Sequence, residues 1–142
     1  MQEIHLYAES NKKTPAQLNR RYAYRLEWRR MGRAPVLTGA GGVLLGTYNQ
    51  AVLHALIQGM QRLNQSCRVV LHLENTYIAN MVETHLNLWA GRDFQNSRGD
   101  AIKNEELWRQ LWTELKKHTI EVEKEKYSQK TTEKLKELME NA

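Results

Sequence analysis

The chain has 142 residues, 41% of them hydrophobic, which is enough to close one sizeable core, so we expect one domain over residues 1–142. A formal net charge of +5 and a pI near 9.4 favour a polyanionic partner such as nucleic acid. No apolar run approaches membrane-spanning length, the start has no apolar signal core, and a single cysteine, Cys67, excludes an internal disulfide. These features predict a soluble protein of the reducing cytoplasm.

Two strands are predicted near the start. Residues 2–8 alternate loosely in hydrophobicity, and this strand leads into Glu9 and Ser10. Residues 20–30 alternate cleanly, with Tyr22, Tyr24, Leu26 and Trp28 on one face and a basic face opposite. The arginines of that basic face either contact phosphate or protect an exposed strand from edge pairing, and both interpretations stay open.

A third strand and a first helix follow. The break at residues 31–33 predicts a hairpin into a strand over residues 34–42. Its glycines are spaced unlike a phosphate loop, and no Gly-Lys-Ser/Thr follows them. From Thr47 the period becomes helical, with one apolar face formed by Val52, Leu53, Leu56, Ile57, Met60 and Leu63.

The central stretch, residues 67–111, combines a strand, a helix, a basic hinge and another helix. Its apolar strand ends at Glu74 and Asn75, where a helix over residues 76–88 begins. A carboxylate at the carboxyl end of a strand is a candidate for catalysis, although an acidic residue before a helix is often only a cap. In the hinge, Trp89 and Phe94 either stack on a ligand or anchor the hinge's own core.

The remaining elements are predicted from periodicity. Leucines and tryptophans at helical spacing over residues 107–115 indicate a packed helix. Residues 118–123 alternate as a last strand, and residues 124–142 are dense in Lys and Glu with a thin apolar stripe. This tail is expected to form an amphipathic helix.

Residues 67–108 resemble the ribonuclease H family. The resemblance lies in the strand, the acidic residue followed by a small polar residue, Tyr77, the helix leading into a Trp-bearing basic protrusion, and Lys103-Asn104 before Leu107-Trp108. It implies an α/β ribonuclease H-like fold. In that fold, a mixed five-stranded sheet carries helices on both faces and a basic handle-like protrusion that grips the DNA strand of an RNA/DNA hybrid.

The resemblance also implies a set of site positions. Glu9 and Glu74 match two of the family's four acidic metal-binding positions, whereas Val52 and Lys136 stand at the other two. If the tail is aligned differently, Glu133 or Glu137 takes the fourth position. The family's Gly-rich turn after the first strand is replaced here by Asn, Lys, Lys, Thr and Pro at residues 11–15, so that charge replaces glycine.

Two-metal hydrolysis needs carboxylates that hold two cations about 4 Å apart. Because only Glu9 and Glu74 remain acidic, the leading hypothesis is a catalytically impaired or inactive family member, a pseudoenzyme that binds RNA/DNA hybrid or a related duplex. By resemblance and by chemistry, its nucleic-acid contacts are expected at Asn49, Thr76, Arg92, Phe94, Arg98 and Lys103.

Two alternatives remain open. One is an active ribonuclease H that cleaves the RNA of hybrids with Mg²⁺ or Mn²⁺ held weakly by Glu9 and Glu74. The other is reuse of the fold as a protein-interaction module, with the basic strand or the terminal helix as the contact surface.

Overall fold

A computed structural model describes all residues of the chain, 1–142. Five strands and five helices follow one another along the sequence. In chain order they are β1 (Gln2–Ser10), β2 (Leu18–Arg29), β3 (Val36–Gly46), α1 (Tyr48–Met60), β4 (Cys67–Leu73), α2 (Thr76–Thr84), α3 (Leu86–Gly91), α4 (Glu105–Leu115), β5 (Thr119–Lys124) and α5 (Gln129–Glu140). No helix is both long enough and apolar enough to cross a lipid bilayer.

The five strands form one mixed sheet in the order β3-β2-β1-β4-β5. Neighbours are antiparallel between β1 and β2 and between β2 and β3, and parallel between β1 and β4 and between β4 and β5. In the register of β1 and β4, Tyr7 lies opposite His72. The parallel register therefore brings Glu9, at the end of β1, beside Glu74, which directly follows β4.

Helices cover both faces of the sheet, as predicted. On one face, the apolar stripe of α1 packs against β1 and β2 in a continuous core that also contains Trp108 and Leu111 of α4. A capping box begins α1, because the Thr47 hydroxyl accepts from the Gln50 amide and the Gln50 side chain accepts from the Thr47 amide. On the opposite face, Leu135 and Met139 of α5 pack in a smaller cluster. Burial of each of these two side chains contributes about 2 kcal/mol.

Most element boundaries shift by one or two residues from the predictions, and three differences are larger or affect packing. The helix expected over residues 76–88 is divided at His85 into α2 and α3. The tail helix begins only at Gln129, where the Ser128 hydroxyl caps it by accepting from the Thr131 amide. The third strand runs on to Gly46, and its glycines admit α5, because a Cβ atom on Gly41 would lie 2.3 Å from the Leu138 carbonyl oxygen.

The basic face of β2 needs a correction. Because β2 lies between β1 and β3, its arginines do not protect an edge. Arg20, which lies on the same side of the strand as Tyr22 and not on the basic face, is 1% exposed. Its guanidinium donates to the carbonyl oxygens of Gly46 at 2.7 Å and Thr14 at 2.7 Å, which holds the loop between β1 and β2 in place. Arg21 is exposed and donates to the Met139 carbonyl at the end of α5 at 3.1 Å, and contact with phosphate stays a prediction for the exposed arginines of this face.

Candidate active site and nucleic-acid interface

The two predicted carboxylates meet at a single cation, the ammonium of Lys13. Its Nζ lies 3.2 Å from Glu9 Oε2 and 2.8 Å from Glu74 Oε1. Both carboxylates are largely enclosed, since the Glu9 side chain is 9% exposed and that of Glu74 is 17% exposed. The pair is therefore close enough to share one positive charge, as expected from the parallel register of β1 and β4.

The remaining oxygen of each carboxylate is held by the protein. Glu9 Oε1 accepts from the Tyr48 hydroxyl at 2.6 Å and from the Ser10 amide at 3.0 Å. Glu74 Oε2 accepts from the amide of Tyr127, whose buried side chain packs under α5. Glu9 Oε2 is buried without a hydrogen-bond partner, so the ion pair with Lys13 is its main compensation.

The electrostatics differ between the two carboxyl groups. Burial raises the pKa of Glu9 above its usual value, although the hydrogen bonds from Tyr48 and Ser10 and the charge of Lys13 oppose the shift. Burial also acts to raise the pKa of Glu74, but the hydrogen bonds from Lys13 and the Tyr127 amide outweigh it, and the pKa lies below its usual value. Glu74 is therefore the more firmly ionised partner of Lys13.

The residues at the family's two other acidic positions, Val52 and Lys136, add no carboxylate to this pair. Val52 is fully buried in the core on α1 and offers no ligand atom. Lys136 is exposed on α5 and forms no ion pair with Glu9 or Glu74. The cation paired with the carboxylates is Lys13, and the match of Lys136 to the family's fourth position stays a prediction.

The alternative alignments of the tail, with Glu133 or Glu137 at the fourth position, do not add a carboxylate to the pair either. Glu133 accepts a hydrogen bond from Gln129 at 3.0 Å, and Glu137 lies 3.9 Å from Lys134, so both are engaged on α5 itself. No group of three or more His, Cys, Asp or Glu side chains is arranged to hold a metal ion. The donor set therefore fits one cation between Glu9 Oε2 and Glu74 Oε1, and it does not fit a two-metal centre.

A cleft of about 390 Å³ opens beside the carboxylate pair. It is lined by Lys13 together with two of the predicted nucleic-acid contacts, Asn49 and Lys103. The Asn49 side chain is oriented by Asn75, which donates to its Oδ1 at 2.8 Å. Tyr77 also lines the cleft and is exposed, and the predicted contact Thr76 is exposed at the start of α2 beside it. The structure thus gathers an amide, an ammonium and an aromatic ring in one groove.

The protrusion between α3 and α4 carries the other predicted contacts. Arg92 and Arg98 are exposed there, as contact with phosphate requires. Phe94 is 4% exposed and belongs to the main core, with the Arg109 guanidinium 4.8 Å from its ring centroid. Its burial answers the question left open by the sequence, because the ring anchors the protrusion and is not available to stack on a base.

Three site residues were missed by the sequence reasoning. The sequence showed Lys13 as a charged residue where the family has glycine, but it did not show that Lys13 contacts Glu9 and Glu74. Tyr48 adjoins the predicted contact Asn49, and nothing in the helical period marks its hydroxyl as a donor to Glu9. Tyr127 lies in a charged segment that lacks helical or strand patterning, and its hydroxyl donates to the Ala8 carbonyl at 2.9 Å.

Comparison with known proteins identifies the family. The family model described as RNase H matches residues 10–136, which include Lys13, Glu74, Tyr127 and all of β2–β5. The chain belongs to the ribonuclease H family. This membership confirms the resemblance seen in the sequence, and the sheet order and helices confirm the ribonuclease H-like fold.

Relatives named ribonuclease H match part of the chain. The protein of Xanthomonas euvesicatoria is 32% identical over 82 residues, which cover 58% of this chain and 55% of that protein. The protein of Campylobacter curvus is 32% identical over 99 residues, which cover 70% of this chain and 64% of that protein. This ribonuclease H-family chain thus spans about half to two thirds of the length of the curated relatives that it matches.

Solved structures share the fold at low sequence identity. The crystal structure of LC9-RNase H1, described as a type 1 RNase H with the type 2 active-site motif, has a TM-score of 0.81 and 20% identity, covering 100% of this chain and 72% of that one. The solution structure of the PFV RNase H domain has a TM-score of 0.64 and 14% identity, covering 99% and 90%. At such identities the likeness concerns the ribonuclease H fold alone.

Proposed function

We propose that the chain is a metal-dependent ribonuclease H that cleaves the RNA strand of RNA/DNA hybrids. The observation that carries the proposal is that Glu9 and Glu74 converge on one cation position, occupied by the Lys13 ammonium at 3.2 and 2.8 Å. Relatives that match this chain over more than half of its length bear the name ribonuclease H. This proposal replaces the leading hypothesis of an inactive protein, which the family comparisons do not favour.

In this proposal, Glu9 and Glu74 would hold a single Mg²⁺ or Mn²⁺ in place of the Lys13 ammonium. When bound, such an ion polarises a phosphoryl oxygen or activates water. Lys13 has room to leave, because its side chain is 53% exposed. The displaced ammonium remains in the cleft with Lys103, where both can contact phosphate.

The hybrid is bound along the cleft and the protrusion. Asn49, held by Asn75, presents its amide in the cleft near Lys103, and Thr76 is exposed nearby. Arg92 and Arg98 extend the positive surface along the protrusion. A duplex with A-form character is recognised through its shape, its 2′-hydroxyls and its phosphates, which these polar and cationic side chains suit.

A second candidate function is binding of hybrid without cleavage. Two observations favour it: the ammonium of Lys13 already neutralises the carboxylate pair, and Val52 leaves the pair without a third carboxylate. Mg²⁺ requires near-ideal octahedral geometry, and two ligands constrain that geometry weakly. This candidate keeps the same surface and differs from the first only in the chemistry.

Cleavage of a labelled RNA/DNA hybrid in Mg²⁺ and then Mn²⁺ separates the two functions. Glu74→Gln serves as the matched variant, and fluorescence anisotropy follows binding in parallel across a salt series. Cleavage by the wild type that is lost in Glu74→Gln, with binding retained, supports the ribonuclease. Salt-sensitive binding without cleavage supports the second candidate. Absence of both would refute the two proposals together.

We further propose that residues 1–142 form one domain of a protein of the reducing cytoplasm. Support for one domain comes from the single sheet, whose two faces carry the whole of both hydrophobic clusters. Support for the compartment comes from the only cysteine, Cys67, which is buried and unpaired.

A further inference from the structure

Strand β3 is an unprotected edge of the sheet. It spans 11 residues, Val36–Gly46, and none of them is charged. Outside its ladder with β2, the backbone of residues 36–45 makes no backbone–backbone hydrogen bond. The other edge strand, β5, carries Glu121, Glu123 and Lys124 among its six residues. Charged residues on an edge strand prevent pairing with other chains, and β3 lacks this protection.

The side chains along β3 are apolar and exposed. Val36 is 44% exposed, Leu37 49%, Val43 63% and Leu45 63%. They occur on both faces of the strand, since Val36 and Leu37 are adjacent and therefore point to opposite sides. Scattered apolar residues need no explanation, but these follow one free backbone edge from end to end. The edge thus offers backbone hydrogen bonds and apolar contacts to the same partner.

The sequence of β3 is nearly symmetric about Ala40. Reading outward from Ala40, the residues at equal distance on the two sides are Gly39 and Gly41, Thr38 and Gly42, Leu37 and Val43, and Val36 and Leu44. In an antiparallel pair of identical strands with Ala40 opposite Ala40, each large apolar residue between Val36 and Leu44 would face a large apolar residue. Each small residue would face a glycine, an alanine or a threonine.

We propose that two copies of this chain associate through their β3 strands, antiparallel and with Ala40 on the two-fold axis. A two-fold interface requires a surface that is complementary to itself, and the near-symmetry of β3 supplies that property. The two sheets join into one continuous sheet of ten strands. Pairing ends on each side opposite Pro35, which has no amide hydrogen to continue the ladder.

Helix α5 is compatible with this association. Its Leu138 lies over the glycines at the centre of β3, as the close approach to Gly39 and Gly41 shows. The residues of α5 that share a groove with Leu37 and Thr38 at the edge are Lys134, Glu137 and Leu138. Lys134 and Glu137 are 3.9 Å apart and opposite in charge, and Arg25 of β2 lines the same groove, which leaves one uncompensated positive charge there. Because β3 itself has no charged residue, the two pairing strands set no like charges against each other.

Sedimentation equilibrium of the wild-type chain and one pair of variants tests the association. Val43→Lys adds a charge to β3 where the side chain already points into solvent, and Thr119→Lys makes the same addition on the opposite edge strand, β5. We expect a concentration-dependent dimer for the wild type and for Thr119→Lys, and a monomer for Val43→Lys. Circular dichroism confirms that each variant is folded. A wild type that stays monomeric at high micromolar concentration, or a Val43→Lys dimer, would overturn the proposal.

Disulfide trapping tests the register. With Ala40 opposite Ala40, the two Cα atoms lie about 4.5–5.5 Å apart, which is within the range of a disulfide. Mild oxidation should therefore link Ala40→Cys into a covalent dimer. Thr38→Cys should not be linked, because residue 38 faces residue 42 of the partner, and the wild-type Cys67 is buried. Equal cross-linking of the two variants, or none in Ala40→Cys, would refute the antiparallel pairing centred on Ala40.

Discussion

Replacing Lys13 by alanine removes the only cation between Glu9 and Glu74. The Lys13 side chain is 53% exposed, so solvent screening limits each of its two ion pairs to about 1 kcal/mol at most. Glu9, at 9% exposure, loses the compensation of its buried Oε2, and an uncompensated buried acceptor costs about 1–3 kcal/mol. Because these contributions overlap, we expect the free energy of unfolding at pH 7 to fall by about 2 kcal/mol.

Divalent cations should also raise the free energy of unfolding of Lys13→Ala more than that of the wild type. With the ammonium gone, Mn²⁺ can bind between Glu9 Oε2 and Glu74 Oε1 without competition. A ligand present at 100 times its Kd stabilises the folded state by about 2.7 kcal/mol. Urea unfolding followed by tryptophan fluorescence, with and without Mn²⁺, measures both effects.

Lys12→Ala is the matched control for this experiment. Lys12 is the adjacent exposed lysine, and it takes part in no ion pair. Its replacement should change stability by less than about 0.5 kcal/mol and leave the response to Mn²⁺ as in the wild type. If Lys13→Ala behaved like Lys12→Ala in both measurements, Lys13 would not be the cation shared by Glu9 and Glu74.

Three further predictions concern the same region. The pKa of Glu74 in the folded state lies below the reference value of 4.5, so the folded state binds fewer protons than the unfolded state. The ionised Glu74 carboxylate therefore stabilises the fold above pH 4.5, and this stabilisation is lost as the pH falls through the lowered pKa. Urea titrations of the wild type and Glu74→Gln should therefore differ most near neutral pH and converge in acid. Tyr48→Phe removes a 2.6 Å hydrogen bond that lowers the pKa of Glu9, so that pKa should rise further in an NMR titration. Arg20→Met leaves the carbonyl oxygens of Gly46 and Thr14 without their donor and should destabilise the chain by about 3 kcal/mol in chemical denaturation.

Periodicity predicted most of the fold because burial repeats along each element. The alternation of Tyr22, Tyr24 and Leu26 placed β2, and the stripe containing Val52 placed α1, since each pattern reflects one covered face. The break at His85 was not predicted, because the apolar period continues across it. The burial of Arg20 was also missed, since arginine is ordinarily exposed and its carbonyl partners come from a loop without any repeating pattern.

Only the part of the site that follows from the strand order was predictable from the sequence. Glu9 and Glu74 end adjacent parallel strands, so their proximity follows from the strand order. The role of Lys13 depends on the path of the loop between β1 and β2, which no local pattern specifies. Phe94 shows the same limit, because its burial depends on α4 and on Arg109, 15 residues further along the chain.

The buried guanidinium of Arg20 has a consequence for how the site responds to ions. By holding the carbonyl of Thr14, it anchors the loop that carries Lys13. A charged group tethered in this way has an effective concentration at its partner that is in the millimolar range or above and does not vary with the surrounding solution. In the proposed ribonuclease, a free divalent ion would have to displace this tethered ammonium, so its apparent affinity would be lower than its intrinsic affinity for the two carboxylates. In the proposed ribonuclease, the loop would therefore influence the concentration of metal at which the carboxylate pair exchanges Lys13 for a divalent ion.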